Sequence, residues 1–471
     1  MEQQESILGT APEGKLVLQL ALPAMLAQFV NILYSVVDRV YVGHIAGVGE
    51  LSLAGVGVCA PVVTMITAFA ALVGFGGGPL MSIRMGRRDM EGARQIVANS
   101  FYLLLAISVL VTVPALVLKK PILFAFGASE QLWPYANAYF TTYVSGTVFA
   151  LISYGLNQIV MSQGFAGVAM RSVIVGAAVN IVLDPVFIFL LHMGVRGAAL
   201  ATVVSQACSA VYTLRFLFGG RAAVGITKCP LHAGWMRRIA QVGLSPALII
   251  GLDNVLLISV NVMLRRFGGG ESDMLIACAA IMQSFMLIVT MPLGGITAGT
   301  QAILGYNYGA GRVDRVVRAE KRIMLLCFAF VLVMFLLARL VAEPFARIFT
   351  TDPVYIEQAA WMIRTYTLGI IGLAIQYPFV DGFTGMGLVK WGLTFSMLRK
   401  TVYLVGVVAL PAAFSATALF YAEPISDILA AVVSGIAFLL LFPKLMRKRK
   451  EEDAGSFGDS APRQQEDFAV K

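Results

Sequence analysis

The sequence predicts an all-α polytopic membrane protein, with twelve transmembrane helices in two six-helix lobes related by a pseudo-twofold axis along the membrane normal. Three observations carry that prediction. First, 58% of the 471 residues are apolar and 13% are charged, against roughly 25% charged in soluble domains; the mean hydropathy is +0.82. Second, the apolar residues gather in runs long enough for helices of ~20 residues to cross ~30 Å of hydrocarbon. Third, the sequence matches itself, without a gap, when shifted by 223 residues.

Taken in order, the runs place spans near 16–42, 51–77, 95–118, 135–160, 168–191 and 197–218, and then near 239–264, 274–300, 321–342, 356–383, 392–414 and 424–443. They are too long, and too uniformly apolar, for the strands of a membrane barrel. The domain reading is a cytoplasmic segment 1–14, an N-lobe 15–218, a linker 219–237, a C-lobe 238–446 and a disordered tail 447–471. That tail passes from RKRK to EED and then to a Gly/Ser/Pro/Gln mixture too polar to pack. Basic residues concentrate after spans 2, 6, 8 and 12, for example Arg84, Arg87, Arg88 and Arg94, then Arg312, Arg315, Arg318, Lys321 and Arg322. The positive-inside rule then puts both termini in the cytoplasm.

The self-match rests on residues that are hard to align by chance. Pro23 falls on Pro246 and Pro121 on Pro344, with Asn31 on Asn254, Gly86 on Gly309, Gly146 on Gly369 and Tyr154 on Tyr377. Six spans return the chain to its starting side, so the halves are parallel repeats around a central cavity.

Composition also excludes functions. A soluble enzyme needs far more polar surface, and the net charge of +9 sits in loops rather than on a nucleic-acid-binding face. The five cysteines are dispersed and read as small core residues; the three histidines lack metal spacing. No Walker motif and no nucleophile–base set appears, so no enzyme activity and no cofactor is expected, and any pumping draws on an ion gradient. The opening MEQQESILGTAPEG lacks the basic start of a cleaved signal.

Ionisable groups inside spans carry the functional argument, because each costs ~2.5–3.5 kcal/mol at the bilayer centre and must face protein or water. Asp184, in NIVLDPVFIF, is the sharpest. Pro185 frees a backbone carbonyl one turn earlier, and Asn180 lies on the same helical face. A carboxylate, a carboxamide and a free carbonyl suit a proton or a hard monovalent cation. Asp38 pairs poorly with adjacent Arg39, because neighbours on a helix point about 100° apart, and near the outer interface it reads equally as a site residue or a solvated charge. Asp253, beside Asn254, and Asp381, flanked by glycines, read equally as site residues or interhelical hydrogen-bonding groups. For Arg399 and Lys400 the alternatives are pairing with Asp381, binding an anionic substrate, or anchoring a loop edge, the last being favoured. Asp38 and Asp184 have no acidic mates in the second half, where Asn261 and Val407 stand at the shifted positions.

Four blocks stand out: ALPAMLAQFVNILYSVVDRVYVGHIAG, GGGPLMSIRMGRRDMEGA, VNIVLDPVFIF and MPLGGITAGTQAILGYNYGAGRVDRV. They resemble the MATE (multidrug and toxic compound extrusion) family of the MOP flippase superfamily, and the likeness spans about residues 10–445. The resemblance implies multidrug or organic-compound efflux by antiport with H⁺ or Na⁺, alternating access between the lobes, and a bacterial cytoplasmic membrane. Small cationic or amphipathic substrates, contact with membrane lipid and a monomer are the expected partners and state. By residue, it implies a coupling-ion site of Asp38, Asn180, Asp184 and Thr202, supported by Pro23, Asn31, Tyr34, Tyr139 and Asn157. Asp253, Asn254, Asp381 and Arg399 mark a possible second site in the C-lobe. A flippase for lipid-linked precursors and a dedicated natural-product exporter of the same superfamily are the alternatives.

Overall fold

The computed structural model describes residues 7–456. Its helices follow the apolar runs. In the first half they are α1 (Glu13–Gly43), α2 (Gly49–Gly86), α3 (Met90–Val117), α4 (Trp133–Ser145 with Thr147–Ser162), α5 (Ala166–Pro185) and α6 (Val195–Phe218). In the second half they are α7 (Ala233–Phe267), α8 (Ser272–Gly309), α9 (Val313–Leu340), α10 (Pro353–Tyr366 with Ile370–Gly385), α11 (Val389–Ala413) and α12 (Ala422–Ser456). Among the described residues ten helices are individually long and apolar enough to cross a membrane, and the two segments of α4, bent by 55°, are so together. Helix α10 is outside that count and is broken at the turn Thr367–Gly369, as α4 is at Gly146.

The repeat is visible in the helix boundaries. Helices α2, α3 and the second segment of α4 recur as α8, α9 and the second segment of α10, each with both ends displaced by 223 residues. Even the breaks correspond: Gly146 interrupts α4 and Gly369 precedes the second segment of α10. Local chemistry sets several of these ends. Asp89 caps α3 by accepting from Gly92 N at 2.8 Å, and Asp352 caps α10 by accepting from Val354 N at 2.9 Å ahead of Pro353.

Large apolar side chains lie on the outside in helical stripes. On α12 they are Ile425, Ile428, Leu429, Val432, Ile436, Leu439 and Leu440. In water such stripes would be a liability; here they form the lipid face.

Small residues let the halves meet backbone to backbone. Gly76 of α2 packs on Ile239 O of α7, and Gly243 of α7 on Leu72 O of α2. At the Arg-rich end Gly86 packs on Tyr306 O and Gly309 on Ile83 O. Ile83 and Tyr306 are themselves mates at the same offset, so this crossing of α2 and α8 is reciprocal. Helix α8 is buried almost continuously from Pro292 to Gly309, whereas Leu287 and Met291 nearer its start are exposed. On α7, Val255, Leu257, Ile258 and Val262 are exposed as well. The halves therefore close on each other at the Arg-rich end and part toward the opposite one.

The segment ahead of α1 crosses between halves. Leu8 is fully buried, and its carbonyl accepts from Asn307 Nδ2 at 2.9 Å. Arg312 donates to Gly9 O at 2.8 Å and Arg315 to Ala11 O at 2.6 Å, while Arg318 pairs with Glu13 at 3.0 Å. The expected tail 447–471 is corrected in part: α12 continues as helix to Ser456, and Arg449 donates to Tyr308 O and Gly309 O. Residues 457–471 lie outside the described part.

Candidate functional site

In the first half the chain brings Asp38 of α1 and Asp184 of α5 together, carboxyl against carboxyl. Asp184 is the last residue before Pro185, and beyond that proline the helix loosens into a π-turn over Val186–Leu190. Asn180, one turn earlier, donates to Asp184 Oδ1 at 3.4 Å. Asn180 and Asp184 are fully buried. Among the described residues three oxygens here have no hydrogen-bond partner: Asp38 Oδ1, Asp184 Oδ2 and Asn180 Oδ1. Two touching carboxylates cannot both hold full charge unless something positive lies between them, so this arrangement can accept a proton or a small cation.

Aromatic side chains wall the acid pair. Tyr34 sits one turn before Asp38 on α1, and both Tyr34 and Tyr139 of α4 lie close enough to feel the Asp38 charge. Tyr139 and Tyr143 stack with ring centroids 5.9 Å apart, and Gln206 of α6 donates to Tyr143 Oη at 3.3 Å. Other expected members make hydrogen bonds of their own. The Thr202 hydroxyl donates to Ala198 O of its own helix at 3.1 Å. Asn157 donates to Ala169 O at 3.3 Å, ~22 Å along α5 from Asp184 at 1.5 Å per residue. Asn31 donates to Gln28 Oε1 at 3.3 Å, two turns from Asp38, and Pro23 lies inside α1 further toward the Arg-rich end.

The second half is built differently. Asp253 of α7 pairs with Lys400 of α11, and the Asn254 amide donates to Ile250 O of its own helix at 3.4 Å. Asp381 of α10 accepts from the hydroxyl of Thr297 on α8. Arg399 is not a loop-edge anchor, and it does not pair with Asp381. Its guanidinium meets Glu423 at 3.0 Å and Asp427 at 2.8 Å, both on α12, inside the lobe. Tyr366 and Tyr403 extend that network, hydroxyl to hydroxyl at 2.9 Å, with Tyr366 donating to Glu423 at 3.5 Å. Asp381, Arg399 and Lys400 line one cavity of about 110 Å³, together with Gln376, Tyr377 and Ser396.

Sequence reasoning missed three buried acids. Glu423 and Asp427 are spaced i,i+4 on one face, a readable signal, but they open span 12 and look interfacial. Glu320 stands in RAEKRIML, where its basic neighbours made it look like loop surface.

Comparison with known proteins agrees with this architecture. The MatE family model matches residues 23–186 and 250–408. A curated relative from Staphylococcus haemolyticus, named multidrug export protein MepA, is 22% identical over 427 residues, covering 89% of this chain and 92% of its own. A solved structure described as the outward-facing conformation of a multidrug resistance MATE family transporter of the MOP superfamily superposes with a TM-score of 0.86 at 23% identity. That likeness covers 96% of this chain and 100% of the other. A MOP superfamily transporter from Pyrococcus furiosus, noted for the reverse polarity of its binding pocket, superposes at 0.87 with 24% identity, covering 96% and 99%.

Proposed function

The chain belongs to the MatE family, and from that premise we propose that it exports small organic compounds, cationic or amphipathic, across a bacterial cytoplasmic membrane in exchange for H⁺ or Na⁺. The observation that carries this reading is the contact between Asp38 and Asp184, buried among oxygens that lack partners. The multidrug export name of the relative supports a broad organic substrate.

The mechanism follows from the cost of burying charge. With the Arg-rich end on the cytoplasmic side, closing protein around the ionised pair costs several kcal/mol unless a proton or cation is taken up. Moving a two-state equilibrium from 1:99 to 99:1 takes about 5.5 kcal/mol. Loading and unloading one buried site is of that size, so it suffices to bias which end of the molecule is open. The ion entering from outside favours the closure that exposes the substrate cavity to the cytoplasm, and the substrate then competes for the same lobe. The reciprocal Gly86–Gly309 crossing is the contact that opens and recloses.

A flippase for lipid-linked pyrophosphates needs basic side chains free to meet phosphate. Arg399 and Lys400 are each engaged by carboxylates, which weighs against that substrate class. The test uses proteoliposomes loaded with ethidium, under a pH gradient and then a Na⁺ gradient, with wild type beside Asp184→Asn. Dye movement driven by one gradient and absent in the variant is the expected result. Equal movement in both proteins would remove Asp184 from coupling.

A further inference from the structure

Glu320 of α9 is 1% exposed, and neither carboxyl oxygen has a hydrogen-bond partner among the described residues. It faces the second segment of α10 at Gly382, where a Cβ would sit 3.1 Å from Glu320 Oε1. Gly382 thus leaves the carboxylate its space. Asp381, the next residue, lies near enough for its charge to act on Glu320. Thr297 of α8 donates to Asp381, and one turn on, Gln301 is buried with its amide nitrogen unpartnered. Cys327, two turns along α9, is buried and near enough for both charges to act on it. Lys321 and Arg322 are exposed, and Glu13 of α1 is engaged by Arg315 and Arg318. The group lies just inside the sealed end: a Cβ at Gly305 would come 2.6 Å from Gly385 O, so α8 and α10 meet there backbone to backbone.

We propose that Glu320 and Asp381 form a second proton-binding site, within the second half, that is loaded in the conformation seen here and releases its proton when the Arg-rich end opens. An ionised carboxylate without donors is untenable at such burial, whereas one bound proton removes the charge. A metal ion is the poorer occupant, because a hard cation such as Ca²⁺ takes six to eight oxygens and no group of three or more acidic, His or Cys side chains gathers among the described residues. The site is not a copy of the first: the positions matching Glu320, Asp381 and Thr297 hold Val97, Gln158 and Gly74. The direction of proton release rests on the exchange reading above; the existence of the site does not.

The test is infrared difference spectroscopy on the purified full chain as pH is raised, following the carbonyl stretch of protonated carboxyl groups. Wild type is expected to show a protonated component near neutral pH that Glu320→Gln lacks and Asp381→Asn shifts. Asp184→Asn is expected to leave that component in place. A Glu320→Gln spectrum identical to wild type would overturn the site. If Glu320→Gln does not fold, the absence of any shift in Asp381→Asn overturns it equally. A second readout is the gradient at which dye flux reverses, which reports protons exchanged per dye; Glu320→Gln should lower that number by one, and an unchanged number would show that the site does not cycle. Should wild type move no dye under any gradient, the exchange reading fails while the spectra still decide the site.

Discussion

The two halves share a backbone and not a chemistry. Helix ends recur at one fixed offset, and so do the breaks in α4 and α10. Yet the first half places its acids on α1 and α5, with aromatic rings around them. The second places a Lys400–Asp253 pair, an Arg399–Glu423–Asp427 triad and the Glu320–Asp381 group on α7 and α9 to α12. The difference teaches that helix packing and polar placement are separable. Packing is fixed by small residues at crossings and apolar faces elsewhere, while each polar group needs only its own local partners. A molecule that must rock symmetrically can therefore bind asymmetrically.

The sharpest way to break the comparison is at its unmatched residues. Asp184→Asn and Asp38→Asn should each lower gradient-driven dye flux on the order of 100-fold, ~2.7 kcal/mol in barrier terms, measured as initial rates at equal protein. Substituting the mates Asn261 and Val407 by Ala should leave flux within about threefold, under 1 kcal/mol. Equal losses in both halves would mean that the site is shared between them.

Next is the buried triad. Arg399→Met strands Glu423 and Asp427, which are 9% and 0% exposed, and should destabilise the protein by ~3–5 kcal/mol, read as a lower midpoint of thermal unfolding in detergent. Adding Glu423→Gln and Asp427→Asn should restore most of the loss, since no uncompensated charge remains. An unstable triple variant would show that the network holds the lobe by hydrogen bonding rather than by charge balance.

The crossing glycines test the shared part. Gly86→Val and Gly309→Val each push a side chain against the partner's backbone, which cannot yield, at a cost of ~1–3 kcal/mol to the closed Arg-rich end. Spin labels on that end should report longer distances, by similar amounts in the two variants. The smallest effect belongs to the exposed pair: Arg318→Ala should change stability by under ~1 kcal/mol, because Arg318 is 58% exposed.

Much of this was legible in the residues, for physical reasons. Spans are dictated locally by apolar length, and the repeat by proline and glycine positions, so both could be read without contacts. Asn180 and Asp184 were legible because one helical turn joins them and a proline marks the place. Glu320 was not, because its burial depends on Gly382 of α10, about sixty residues on. Arg399 was misread for the same reason: its partners lie 24 and 28 residues on, across a change of helix. The spacing of Asn157 and Thr202 could not reveal that their hydrogen-bond donors are taken up by backbone carbonyls.

The burial of Leu8 against the second half has a consequence for how the molecule is made. The partner of Leu8, Asn307, lies 299 residues later. At roughly 5–20 residues per second the ribosome needs ~15–60 s to bridge that gap. Through that interval Leu8 has no second half to be buried against, and Glu13 has neither arginine. Docking becomes possible once α8 and the start of α9 have been synthesised and inserted, so these residues, translated long before their partners, are among the last to find their place, and their burial marks a chain whose two halves are both in the membrane.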